Sequence, residues 1–167
     1  MISFVWFNSI KLARDWRRSL LILAFALLWF DVVGEVAGRY AFNMTASVDG
    51  KIFKMRPDLA VEKQATVMFK RDDPLLPAGV NHMTKHVLCF SGDILKRDGL
   101  DFYCNGEKIT RAKRATKTGG PLRVFDWSEG LVPEGAFFAG TDHPDGYDSR
   151  YYGFVPLGSA VTVEKVL

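Results

Sequence analysis

A chain of 167 residues has room for one compact domain and little beyond it, and a net charge of +3 singles out no polyanionic or polycationic partner. The 13 phenylalanines supply ample core material, while 2 cysteines are too few for a disulfide framework or a multi-cysteine zinc module.

The first element is helical. Lys11, Arg14, Arg17 and Arg18 precede an unbroken apolar run from Leu20 to Phe30. A membrane span takes about 20 mostly apolar residues. A helix from near Ser19 to near Ala37 reaches that length and carries Asp31 and Glu35 toward its outer end, where they can snorkel to the headgroups. Basic residues before a first span keep the N-terminus inside and export the rest of the chain. The expected organisation is a cytoplasmic basic segment over 1–18, a transmembrane anchor over 19–38 and an exported domain over 39–167. A cleaved signal peptide is the alternative, and Ala37-Gly38 would suit its cleavage site. The long basic region and the polar motif that comes almost at once after the apolar run favour an uncleaved anchor.

Past Tyr40 the helical periodicity gives way to short alternating runs between Gly, Pro, Asn and Asp. Strands are predicted over 65–70 and 84–90. A hairpin over 101–104 and 107–110 turns at Asn105-Gly106, the strongest short hairpin signal. A further strand is predicted over 135–139, and one or two more between Tyr151 and Leu167, broken near Pro156-Leu157-Gly158. The fold class is therefore mainly β, one domain behind one apolar helix. Between Lys108 and Lys117 lie five basic residues, read as a solvated, flexible insertion or, less simply, as a contact for anionic headgroups. Nucleic acid is not expected as a partner, because no aromatic residues interleave with the charges.

Three motifs carry chemistry. On the strand over 84–90, strict alternation puts Met83, Lys85, Val87 and Cys89 on one face. A lysine among apolar neighbours is desolvated, its pKa falls, and the neutral amine becomes a usable base. Ser47, in Asn43-Met44-Thr45-Ala46-Ser47, is the candidate nucleophile, inert unless a base takes its proton. Thr45 and the backbone N–H of Ser47 are candidate donors to an oxyanion. Asp148-Ser149-Arg150, in a loop of turn formers, pairs a carboxylate with a guanidinium. Taken singly, each motif has a plainer reading: a half-exposed lysine, a polar turn and a surface ion pair.

Taken in order, the motifs resemble the boxes of type I signal peptidases, with the Asn43–Ser47 form most similar to the pilin-processing peptidases of conjugative transfer, the TraF type. Val132-Pro133-Glu134-Gly135-Ala136-Phe137-Phe138 resembles the lead-in to the family's last box. The resemblance covers nearly the whole chain and implies a signal-peptidase-like β domain. It implies Ser47 as nucleophile, Lys85 as general base, Thr45 and Ser47 as the oxyanion hole, and Gly92, Asp93, Asp148, Ser149 and Arg150 as site support. It also implies cleavage after small residues at the outer face of a bacterial inner membrane, with a prepilin as substrate, membrane lipid and other conjugation components as partners, and no cofactor. Two departures stand out. Gly140-Thr141-Asp142 stands where the family often has Gly-Asp-Asn, and Gly146 stands where a family serine hydrogen-bonds the lysine, so that hydroxyl is either absent or replaced by Ser149 or a water.

Cys89 and Cys104, if exported, can pair in an oxidising compartment. Closing that loop of about 15 residues stabilises by roughly 3 kcal/mol in the chain-entropy model. His82, His86 and His143 lack metal-ligand spacing, and Asp142, Asp145 and Asp148 do not match an EF-hand, so no metal is expected. His86 faces away from Lys85. The leading reading is a periplasmic Ser/Lys leader-peptide endopeptidase, with cyclisation of the product open. The rival is a catalytically silent assembly factor on the same scaffold, favoured by the glycine at 146.

Overall fold

A computed structural model describes residues 2–42, 48–76, 79 and 81–167, with side chains from Trp16 onward. The chain divides into two units, Met1–Tyr40 and Ala41–Leu167.

The first unit is helix α1 (Ile2–Ala37). Its segment Trp16–Ala37, 22 residues, is long and apolar enough to cross a membrane. At 1.5 Å per residue this is about 33 Å, against a hydrocarbon core of about 30 Å. The successive residues Leu20, Leu21, Ile22 and Leu23, which together go once around the helix, are all exposed, so the segment is apolar around its circumference rather than along one stripe. The helix starts earlier than the predicted Ser19, taking in the basic residues. Near its end Glu35 is paired with Arg39 at 2.6 Å.

Among the described residues, eleven strands form two antiparallel sheets: β1 (Tyr40–Phe42), β2 (Ile52–Arg56), β3 (Thr66–Lys70), β4 (His82–Phe90), β5 (Ile94–Asp98), β6 (Asp101–Cys104), β7 (Glu107–Arg111), β8 (Glu129–Leu131), β9 (Ala136–Gly140), β10 (Val155–Pro156) and β11 (Ala160–Lys165). The larger sheet has the order β1-β2-β11-β3-β4-β9-β10, and the smaller β7-β6-β5-β8. The fold is mainly β, as its sequence pattern implies. One correction concerns the tail. Tyr151 and Tyr152 belong to a short helix, α2 (Ser149–Tyr152), not to a strand. Asp148 caps it, accepting from the Arg150 N–H at 3.1 Å, and so takes the chain out of extended geometry at that point.

The Asn105-Gly106 hairpin joins β6 to β7 in the register Cys104↔Glu107. Both loop residues have positive φ, 50° and 84°, as a two-residue type I′ turn demands.

Strand β4 is the pivot. It pairs with β3 through Lys85↔Val67 and with β9 through His86↔Gly140 and Val87↔Ala139, then slips by one residue to Cys89↔Phe138. Leu88 is the extra residue of a bulge. The strict alternation expected from sequence is thereby broken. Lys85 and Val87 share one face, and Cys89 turns to the other. Two cores result. One gathers Val67, Phe69, Met83, Val87, Phe137 and Ala139. The other gathers Cys89, Leu95, Phe102, Cys104, Val132 and Phe138. Cys89 and Cys104 are joined in a disulfide, with their Cα atoms 5.6 Å apart. It ties the two sheets together.

Candidate active site

Lys85 sits in the middle of β4 with only 2% of its surface exposed. Its row neighbour Val67 is fully buried. Burial pulls the ammonium pKa down from 10.5 to about 8; the Asp148 carboxylate pushes it back up and the Arg150 guanidinium pushes it down again. The lysine is thus held near the point where it exchanges a proton at neutral to mildly basic pH.

Asp148 and Arg150 are as buried as the lysine, at 0% and 2% exposed. They form a two-pronged pair, Nε to Oδ1 and Nη2 to Oδ2, each 2.7 Å. The remaining guanidinium hydrogens go to backbone carbonyls: Arg111 at 2.7 Å, Gly146 at 2.7 Å and Pro144 at 3.4 Å. Burial works against the arginine's charge, but the Asp148 hydrogen bonds and charge more than offset it, so its pKa is raised. Arg150 therefore fixes the loop before it and the end of β7 at once. Ser149 is also fully buried, and its Oγ accepts the Ala139 N–H at 2.9 Å, joining α2 to β9.

Gly146 has a steric cause. A Cβ there would lie 2.3, 2.5 and 2.9 Å from the Oγ1, Cγ2 and Cβ of Thr141. The Thr141 side chain already fills the space that a residue at 146 would use. Its hydroxyl donates to the His143 carbonyl at 2.8 Å and accepts the His143 N–H at 2.9 Å.

Lys85, Gly146 and Tyr147 line one groove of about 1120 Å³. Met55, Met68, Leu75, Leu76 and Leu122 give it an apolar lining, and Lys113, Lys117, His143 and Asp145 a polar one. The basic stretch is solvated, as expected, its lysines and arginines all exposed, but it is not loose. Lys113 and Lys117 both reach Asp145, Lys117 at 3.2 Å, and the Lys113 N–H is bound by the Tyr151 hydroxyl at 3.0 Å. Lys108 and Arg111 belong to β7 and pair with Asp101, each at 2.8 Å. The stretch is tied down along much of its length.

Ser47 and Thr45 lie outside the described residues. Gly92 and Asp93 lie past the end of β4, in the turn into β5. There Asp93 accepts the Phe90 N–H at 3.0 Å and Asn105 Nδ2 at 2.7 Å, and pairs with Lys63 at 3.0 Å. They support the fold beyond the strand carrying Lys85, whereas Asp148 and Arg150 act on the lysine itself. His86, on the opposite face, is bound by Thr66 and Asp142, each at 3.1 Å.

A family profile described as "Signal peptidase, peptidase S26" matches residues 14–166. The chain belongs to that family. It is 23% identical over 164 residues to a "Probable conjugal transfer protein TraF" of Sinorhizobium fredii, covering 86% of this chain and 87% of that protein. A signal peptidase I from Enterococcus faecalis, known from its crystal structure, is 23% identical, covers 64% of this chain and 95% of its own, and superposes with a TM-score of 0.37. Membership implies a serine-peptidase type of hydrolase whose substrate is a protein with a leader peptide. With the apolar helix α1, it supports a membrane-anchored protein.

Sequence reasoning missed Thr141, Lys113, Lys117 and Asp145 as parts of this site. Thr141 was visible only as a departure from the family box. The lysines meet Asp145 from about 30 positions away, a contact that leaves no local pattern.

Proposed function

We propose that the chain is a membrane-bound serine endopeptidase that removes the leader of an exported protein by a Ser47/Lys85 dyad. Neutral Lys85 takes the proton from the Ser47 hydroxyl as the oxygen attacks the scissile carbonyl carbon. The Ser47 N–H and the Thr45 hydroxyl receive the oxyanion. The protonated lysine then gives its proton to the leaving amine, and water resolves the acyl-enzyme. Asp148, Ser149 and Arg150 hold the loop beside the lysine. The N-terminus is cytoplasmic and residues 39–167 are periplasmic. The relation to a conjugal transfer protein makes a prepilin the substrate of choice.

One observation carries this reading. A lysine 2% exposed, its pKa brought down to about 8 by burial, lines a groove large enough for a peptide. A structural lysine gains nothing from being kept dry. The rival assembly-factor reading keeps one support, the glycine at 146, and the packing of Thr141 gives that glycine a steric reason. Processing of a precursor by wild type, Ser47→Ala and Lys85→Ala decides the matter. Loss of cleavage in both variants is expected, and unaltered processing in both would establish the assembly factor.

A further inference from the structure

We propose that Lys113 and Lys117 form an acidic-residue subsite in the substrate groove, so that the favoured precursor presents an extended apolar stretch with one carboxylate side chain near the scissile bond. The inference rests on the proposed function, in which this groove receives the precursor.

The lining is unbalanced in charge. Among the described residues that line it, Lys85, Lys113 and Lys117 are the lysines and Asp145 is the lone carboxylate. With Lys85 neutral, two ammonium groups share one carboxylate and one positive charge is left over. Both lysines bend onto Asp145, next to Gly146, and hold its pKa below the usual carboxylate range, Lys113 contributing most and Lys117 next. All three basic residues of the arm are exposed, but Arg114, between the lysines in sequence, does not line the groove.

Position separates this from a contact with lipid. A headgroup site presents its cations outward, free of carboxylate. Here both cations, though exposed, are turned onto the Asp145 carboxylate at a groove that also holds Met55, Met68 and Lys85. The backbone of the arm is anchored by the Arg150–Arg111 and Lys113–Tyr151 hydrogen bonds, and Asp145 holds the two ammonium groups at the groove. An incoming carboxylate shares them with Asp145 and takes up the surplus charge. The neighbouring apolar residues of the same segment meet the methionines and leucines.

The test uses the full chain in detergent or nanodiscs. Ten-residue apolar peptides, identical except for one Glu, Gln or Lys scanned along them, are bound to Ser47→Ala protein and followed by anisotropy. At one scan position Glu should bind about tenfold tighter than Gln at low salt, the range of a charged hydrogen bond. The Glu/Gln ratio should fall to about one in Lys113→Met/Lys117→Met. It should turn in favour of Lys in Lys113→Glu/Lys117→Glu, a gain that misfolding cannot produce. A flat scan, a ratio unchanged in both double variants, or variants that alter only the dependence on anionic lipid would overturn the proposal. A parallel cleavage arm with wild-type protein keeps the two readings apart. Selective binding with no cleavage sinks the peptidase and leaves the subsite, and cleavage with a flat scan does the reverse.

Discussion

Lys85→Met replaces a buried ammonium with an apolar chain of similar length, and its effect on stability can be worked out in advance. In the unfolded chain the lysine titrates at 10.5, and in the fold at about 8. The folded-state value is depressed, so between the two the unfolded chain binds more protons, and folding is opposed most where both forms are protonated. The penalty is therefore full below pH 8 and disappears as pH rises from 8 to 10.5. At about 1.4 kcal/mol per unit, it amounts to roughly 3 kcal/mol at pH 7, about 2 at pH 9 and a few tenths at pH 10.5. Methionine carries no such penalty. The variant should unfold at higher urea than wild type at pH 7, with the two curves converging by about pH 10.5. Titrating groups that do not interact with Lys85 are common to both proteins and cancel in the difference, and its charged neighbours Asp148 and Arg150 keep one charge state across pH 7 to 10.5. The assay is urea denaturation of both proteins in one detergent, followed by tryptophan fluorescence at several pH values. A Met variant less stable at pH 7, or a gap that does not close with pH, would show that the lysine is not desolvated and would remove the basis for a neutral base.

The same shift sets the catalytic pH dependence. Processing should rise about tenfold per unit below pH 8 and level off above it, while Asp148→Asn should move that midpoint down, because the carboxylate is what pushes the lysine's pKa up. A midpoint near 6 or above 10 in a pH–kcat/KM profile would contradict the assignment. Gly146→Ser should destabilise by about 1–3 kcal/mol through collision with Thr141. Gly146→Ser/Thr141→Gly, which removes all three clashing atoms, should recover most of the loss in thermal melts. Arg150→Met strands a fully buried carboxylate and three backbone carbonyls, and should cost about 3–5 kcal/mol in urea unfolding.

How far the structure could be read in advance depended on how much signal each segment carries locally. The β6–β7 hairpin was legible because Asn105-Gly106 has one cheap conformation between two strands. Strands β3, β4 and β9 were legible because each buries two or more side chains in alternation or in a run. Strands β2, β5 and β8 were not. Phe53 and Leu95 are the one fully buried residue of β2 and β5, and β8 has none, so no period can be counted. The lysine's burial was not decided by its row, which read equally as a half-exposed strand face and counted Cys89, turned away by the bulge. The share of Thr141, Lys113 and Asp145 in the site was not legible either, because each depends on contacts made across loops, where sequence periodicity carries no information.

The bulge at Leu88 explains why one strand can supply both a dry lysine and a disulfide. Under strict alternation Cys89 would lie on the face of Lys85 and Val87, where no partner cysteine waits. One inserted residue turns Cys89 into the second core, within reach of Cys104 on β6. The insertion needs space. Gly140 provides it, since a Cβ there would lie 2.1 Å from the Leu88 side chain, which covers that glycine. Gly140 also ends β9 and opens the loop that carries Thr141, Asp145 and Gly146 toward Asp148. The crosslink beyond the bulge and the buried ion pair beyond the loop thus restrain Lys85 from two directions. A lysine kept dry needs such restraint, because any local opening that admits water returns its pKa toward 10.5 and removes the base.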